Sequence, residues 1–179
     1  MKFTWVDYPA QFEEEIEGWC DEYAAAFALD CDSVKMEHQW YLNADRTLNH
    51  DYFNKIILED GTPIALLMMA INEEERREKL TENVIHLDTL IINPLYRNKG
   101  YGARILTDIL EHAEEIIGRD NNVFLGQIHK DNTISIKLMH KLGFESVAFL
   151  DETQDDWGNW VYPPSAAENI RSYYRTFPV

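Results

Sequence analysis

Arg97-Asn98-Lys99-Gly100-Tyr101-Gly102 joins two strongly patterned segments of the chain. An apolar run, Val84 to Ile92, leads into it through Asn93-Pro94, and a strongly periodic segment, Tyr101 to Ile117, leaves it. That is the pattern of a strand, a turn and a helix. A helix start presents unpaired backbone N–H groups and the positive end of the helix dipole. The two glycines let the backbone approach a ligand with no Cβ in the way. Arg97 and Lys99 add positive charge in an otherwise acidic chain. The guest that suits this geometry is a phosphate or pyrophosphate.

Outward from the turn, the elements alternate. In the strand Val84–Ile92, a period of two puts His86 and Asp88 on one face, together with Leu90 and Ile92. In the helix, Ile105, Leu106, Ile109, Leu110, Ala113, Ile116 and Ile117 form the apolar stripe, and Gly118 is the expected C′ residue. Val123 to His129 reads as a strand. Asp131 or Asn132 caps a helix that runs through Leu142 with Ile134, Leu138 and Met139 toward the core, and Gly143 ends it. Phe144–Leu150 and Gly158–Tyr162 read as strands around an acidic loop, Asp151–Asp156. Pro163-Pro164 marks a boundary, and Ser165–Phe177 has the apolar spacing of a C-terminal helix, with Ile170, Tyr173 and Tyr174.

The first half is read the same way. Lys2–Val6 is a short strand. Residues 10–29 carry Phe12, Ile16, Trp19, Cys20, Tyr23, Ala24 and Phe27 at helical spacing. Val34–His50, with His38, Trp40, Tyr41 and His50, is a second helix or a substrate-side loop. Tyr52–Glu59 and Pro63–Ile71 are strands joined by the hairpin signal Asp60-Gly61. Asn72–Asn83 is so charged that it reads as a solvated loop or exposed helix.

With 179 residues, 45% of them hydrophobic, the chain supports one domain with an ample core. Its mean hydropathy is -0.40. No apolar run approaches the ~20 residues that cross a bilayer, and Asp7 comes too early for a signal-peptide core. The expectation is a cytoplasmic protein with no membrane role. Cys20 and Cys31 lack metal-ligand spacing and make no disulfide framework; buried free thiols are expected. A net charge of -16 argues against nucleic acid as partner and is compatible with a cationic substrate.

Rival readings of the turn fail on spacing. There is no G-x-x-x-x-G-K-[ST] P-loop. Gly100 and Gly102 fit the first two places of a dinucleotide fingerprint, but Ile105 occupies the third. No G-x-S-x-G elbow occurs, and no His/Cys/Asp cluster has metal spacing, so no metal is expected. What remains is R-x-x-G-x-G between strand and helix. It resembles the acetyl-coenzyme A signature, [RQ]-x-x-G-x-[GA], of the GNAT superfamily of N-acetyltransferases. A second match lies downstream: Asn132, Ser135, Leu138, Lys141, Gly143 and Phe144 resemble the family's N-x-x-[AS]-x-x-L-Y-x-K-x-G-F helix. Both motifs come in order and on the right elements, across roughly residues 84–150.

The resemblance implies an α/β (α+β) fold. A twisted, mixed, mostly antiparallel sheet of six to seven strands would be splayed between strands 4 and 5 and flanked by helices. Residues 1–162 would form the acetyltransferase domain, and 163–179 a C-terminal extension packed on or near it. It implies acetyl-CoA as co-substrate, with its pyrophosphate on the backbone N–H groups of Arg97, Asn98, Lys99, Gly100, Tyr101 and Gly102. The pantetheine arm would lie along Leu90, Ile91 and Ile92, with Asn132 nearby and the Leu90 N–H polarising the acetyl carbonyl.

Acetylating an amine requires a neutral amine and expels a thiolate. Asp88 and His86 are the candidate bases; His86 has an unperturbed pKa of ~6.5, whereas Asp88 would need burial or a water relay. At the position of the family's usual proton-donating Tyr stands Met139, which has no proton to donate. His140, next to it, points about 100° away on the helix. Solvent, His129 or a Tyr elsewhere could serve, and a thiolate of pKa about 8.5 is a fair leaving group unaided. The sequence thus reads as an acyltransferase that moves acetyl from acetyl-CoA directly to a primary amine of a small molecule or peptide, with a homodimer allowed. The alternative of a different class is a non-catalytic acyl-CoA sensor, which the Met139 departure supports.

Overall fold

Along the chain come β1 (Thr4–Asp7), β2 (His50–Tyr52), β3 (Lys55–Glu59), β4 (Thr62–Asn72) and β5 (Asn83–Ile92), then α1 (Tyr101–Ile117), β6 (Asn122–His129), α2 (Thr133–Lys141), β7 (Glu145–Val147), β8 (Trp157–Tyr162) and α3 (Ala167–Arg175). Short 3-10 turns, Pro94–Tyr96 and Pro164–Ala166, precede α1 and α3. The structure is a computed structural model. It describes residues 3–8, 12, 15, 16, 18, 19, 50–72, 83–120, 122–147 and 157–175. Cys20 to Phe27 of the expected first helix, Cys31, residues 34–49, the charged stretch 73–82, the ends 148–150 and 151–156, and Phe177 lie outside the described residues.

Among the described residues the strands form one mixed sheet in the order β1-β3-β4-β5-β6-β8-β7, with β2 also on β4. Every pairing is antiparallel except β5 with β6. β2 and β3 together occupy the place of the single strand expected from Tyr52 to Glu59. The chain leaves the ladder at Phe53-Asn54, where the Phe53 N–H still reaches the Met69 carbonyl (2.8 Å) and the Asn54 carbonyl accepts from the Tyr8 N–H (3.0 Å). The β3–β4 hairpin turns at Asp60 and Gly61, both at positive φ (50° and 79°), as a tight hairpin requires.

The two faces of the sheet are covered differently. On one, Ile105, Ile109, Ala113 and Ile117 of α1 and Met139 of α2 pack on Leu67, Met69, Ile85 and Leu87. On the other, Ile16 and Trp19 pack on Ile56, Leu66, Met68 and Ile91, while Ala166, Ala167 and Ile170 pack on Val84, Val123, Leu125 and Val147. Each fully buried Ile or Leu contributes about 1.5–3 kcal/mol. α1 ends at Gly118, which is left-handed and whose N–H returns to Glu114. Among the described residues no helix is long and apolar enough to cross a membrane.

One expectation is corrected. The β4–β5 register runs from Met68 opposite Thr89 to Met69 opposite Leu87, so Asp88 is an extra residue, a β-bulge. The bulge reverses the alternation. Ile85 and Leu87 face α1 before it, and Leu90 and Ile92 face α1 after it. His86 pairs with Ala70 on the other face. His86 therefore does not share a face with Leu90, and Asp88 marks the switch.

Candidate functional site

The site begins where pairing stops. β5 and β6 are paired from Asn83 and Asn122 to Leu87 and Gly126, and no further. β5 continues to Ile92 and β6 to His129, so the sheet splays at this point, one residue before the bulge. The Asn93 N–H is bonded to the Ile64 carbonyl of β4 (2.9 Å). Backbone polar groups alternate sides along a strand, so those of Ile92 and Leu90 point away from β4 into the gap. An extended ligand can take the place of the missing strand there. The Ile92 carbonyl also accepts from Arg97 Nε (3.0 Å), leaving one lone pair for a ligand.

The turn at the mouth of this gap is held from several sides. Asn93 is buried; its Oδ1 accepts from the Leu95 N–H (3.0 Å) and its Nδ2 donates to the Pro63 carbonyl (3.1 Å). The Arg97 N–H closes the 3-10 turn on the Pro94 carbonyl (3.3 Å). Arg97 thus shapes the strand exit with both backbone and side chain. Lys99 Nζ donates to the Leu95 carbonyl (2.8 Å) and lies 5.6 Å from the Tyr96 ring centre. Gly100 caps α1 with φ 81°, a conformation that disfavours any Cβ, and offers no side-chain cap. The first intrahelical bond runs from Arg104 to the Gly100 carbonyl, so the N–H groups of Tyr101, Gly102 and Ala103 precede the ladder.

Both motifs of the sequence meet here. A Cβ on Gly102 would stand 3.5 Å from Leu138 Cδ2 and 4.0 Å from Leu90 Cδ2, so the start of α1, the splayed part of β5 and α2 converge. Asn132 caps α2, its Oδ1 accepting from the Ser135 N–H (3.1 Å), which leaves its side-chain amide to donate. An open left-handed cap, three N–H groups above the ladder and strand groups turned into a gap fit a ligand with a phosphate head and an amide-bearing arm. Coenzyme A is such a ligand.

The groups that could move protons are spread out. Asp88 is exposed at the bulge, and His86 is half-buried on the face away from α1. Met139 is 7% exposed, and its Cε fills the space above Gly126, 3.0 Å from where a Cβ would be. It packs the core and offers no proton. His140 is turned to the Trp160 ring, edge to face at 4.6 Å. His129, on the same face as Leu125, faces the Asp131 N–H with its Nδ1 (3.3 Å), and its ring meets Trp157 at 5.2 Å. Trp157 is 43% exposed.

One set of residues escaped the sequence reading. The Glu59 carboxylate, at the end of β3, accepts from the Tyr101 hydroxyl and from Arg104 Nη2 (3.0 Å). The Tyr101 bond above all, with Arg104 behind it, holds Glu59 below the ordinary carboxylate range, and the same bond raises the Tyr101 hydroxyl. Glu59 and Tyr101 are 42 residues apart, and no local pattern links them.

Among the described residues no group of three or more His, Cys, Asp or Glu side chains is placed to hold a metal ion. The model of the acetyltransferase (GNAT) family matches residues 13–144. The N-acetyltransferase YfmK of Bacillus subtilis strain 168, itself described as uncharacterized, is 27% identical over 125 residues, 70% of this chain and 72% of that protein. A crystal structure of an uncharacterized protein from Bacillus halodurans superposes with a TM-score of 0.66 at 15% identity, over 97% of this chain and 90% of that one. A spermidine N-acetyltransferase, a SpeG chimera from Vibrio cholerae and hSSAT, superposes with a TM-score of 0.63 at 14% identity, over 94% and 99%. At such identities the structures speak for the fold alone, whereas the family model spans most of the chain. The chain belongs to the GNAT family of acetyltransferases.

Proposed function

We propose that the protein is an acetyl-CoA-dependent N-acetyltransferase acting in the cytoplasm on a small cationic amine, by direct transfer within residues 1–162, with 163–179 as an extension packed on that domain. The observation that carries the reading is the convergence of the two motifs on the β5–β6 gap, where a Cβ on Gly102 would stand 3.5 Å from Leu138 and 4.0 Å from Leu90. When bound, acetyl-CoA supplies an activated thioester. The N–H groups of Lys99 to Ala103 hold its phosphates, Arg97 serving to shape the turn. The Ile92 and Leu90 backbone groups and the Asn132 amide align its arm. The Leu90 N–H donates to the acyl oxygen, where negative charge develops.

The acceptor comes from the sheet face opposite α1. That face carries His86 on β5, His129 on β6 and the exposed Trp157 paired with it on β8. An indole of this kind attracts ammonium groups, and Asp151, Glu152, Asp155 and Asp156 immediately precede it in sequence. The spermidine acetyltransferase neighbour is consistent with such an acceptor. His86 or Asp88 removes the ammonium proton, and solvent protonates the departing thiolate, since Met139 cannot.

The test is thiol release from acetyl-CoA against panels of cationic, neutral and anionic amines, with Asp88→Asn and His86→Ala alongside wild type. The true base loses about 10²–10⁴-fold in rate on substitution. Coenzyme A binding with no amine acetylated favours the sensor reading, supported by Met139. Acetylation of anionic acceptors alone overturns the cationic assignment.

A further inference from the structure

We infer that Glu59 is a positioning residue for the acyl donor, holding the phosphate-binding turn in its binding shape through Tyr101 and Arg104. The inference rests on the donor reading above. α1 is anchored to the sheet by buried residues that begin at Ile105. Its first turn, Tyr101 to Arg104, has no buried residue, and yet this turn carries the N–H groups that precede the ladder. Tyr96 and Tyr101 pack only partly against the core, so a polar contact that fixes the Tyr101 ring adds to the hold of this turn on the sheet.

Glu59 is placed to do so. It sits at the end of β3, immediately before the hairpin, on a strand paired on both sides. Its side chain is 13% exposed, whereas that of its partner Arg104 is 42% exposed. The carboxylate therefore reaches inward and the guanidinium closes over it. Arg104 lies 4.8 Å from the Tyr101 ring centre and 4.9 Å from that of Phe3. Tyr101 in turn meets Tyr96 edge to face at 5.4 Å. Tyr96 and Tyr101 bracket residues 97–100, so fixing the Tyr101 ring fixes both ends of the turn. A turn held in its bound shape before the ligand arrives loses less conformational freedom on binding. Such a device raises affinity for the donor without touching the transferred group.

The test measures CoA binding by calorimetry in wild type, Glu59→Ala, Glu59→Gln, Tyr101→Phe and Glu59→Ala/Tyr101→Phe. Backbone ¹⁵N order parameters of Asn98 to Gly102 in the ligand-free proteins are the second readout. Glu59→Ala should weaken CoA binding about tenfold, raise the KM for acetyl-CoA in proportion and leave kcat unchanged. Order parameters in the turn should fall. Glu59→Gln, which retains an acceptor for Tyr101, should recover most of the loss. Tyr101→Phe and the double variant should match Glu59→Ala, because residues acting as one unit are not additive. A Glu59→Ala protein with wild-type affinity and order parameters overturns the inference, as do losses that add in the double variant. Wild type that binds no CoA overturns the donor reading itself, and the wild-type arm separates that outcome from failure of the clamp alone.

Discussion

Replacing Gly102 by Asp should separate stability from ligand binding. Gly102 is the second residue of α1, one turn before its buried stripe. A Cβ there meets Leu138 Cδ2 at 3.5 Å and Leu90 Cδ2 at 4.0 Å, both ordinary contacts, so the Cβ itself needs no displacement. Asp is a better helix residue than Gly, and a carboxylate in the first turn gains about 0.3–1 kcal/mol from the helix dipole. Folding stability should be unchanged or rise by up to about 1 kcal/mol. The same carboxylate enters the gap between β5 and α2. At ~4 Å from one phosphate charge it costs about 1–4 kcal/mol between the water and near-surface limits. Two phosphate charges bring this to roughly 2 kcal/mol or more, a loss of at least about thirtyfold in affinity, smaller at high salt. Urea denaturation and CoA titration read the two effects, with Gly102→Ala as the neutral control. Unchanged CoA affinity in Gly102→Asp would place the phosphates elsewhere. A stability loss above about 1 kcal/mol in Gly102→Ala would contradict the space assigned to this Cβ.

Three further outcomes follow from the same geometry. Gly100→Ala forces a Cβ residue to φ 81° in open space, and urea denaturation should show a cost of about 1–2 kcal/mol, larger than that of Gly102→Ala. Met139→Leu conserves volume above Gly126 and should cost under about 1.5 kcal/mol with kcat unchanged, since this position supplies no proton; steady-state kinetics decide it. Glu59 is held below the ordinary carboxylate range by Tyr101 and then Arg104. Its pair therefore contributes stability in full above the unfolded value and loses it as pH falls through the folded one. The difference in unfolding midpoint between wild type and Glu59→Gln should be constant above about pH 5 and shrink below about pH 4.

Much of the fold was legible because the signals were local. The stripe from Ile105 to Ile117, the glycine at 118, the cap at Asn132 and the Asp60-Gly61 hairpin each follow from a few neighbouring residues. The splay at Leu87 and Gly126 was legible only through the family resemblance, since no composition marks where two parallel strands part. The bulge at Asp88 was not legible at all. A single extra residue leaves no trace in an apolar run, yet it moves His86 to the face away from Leu90. The Glu59–Tyr101–Arg104 cluster joins an acidic residue before a hairpin to a helix start, and only the three-dimensional fold brings them together. The substrate-side reading of residues 34–49 lies outside the described residues.

The β5–β6 gap and the turn above it are proposed here as the coenzyme A site. A titration of the ¹⁵N-labelled protein with CoA, followed through backbone and side-chain amide shifts, is the decisive measurement. The largest changes should fall at Leu90, Ile92, Lys99, Gly100 and Gly102 and at the Asn132 side-chain amide. Saturable binding that leaves these amides unmoved and shifts others would contradict it.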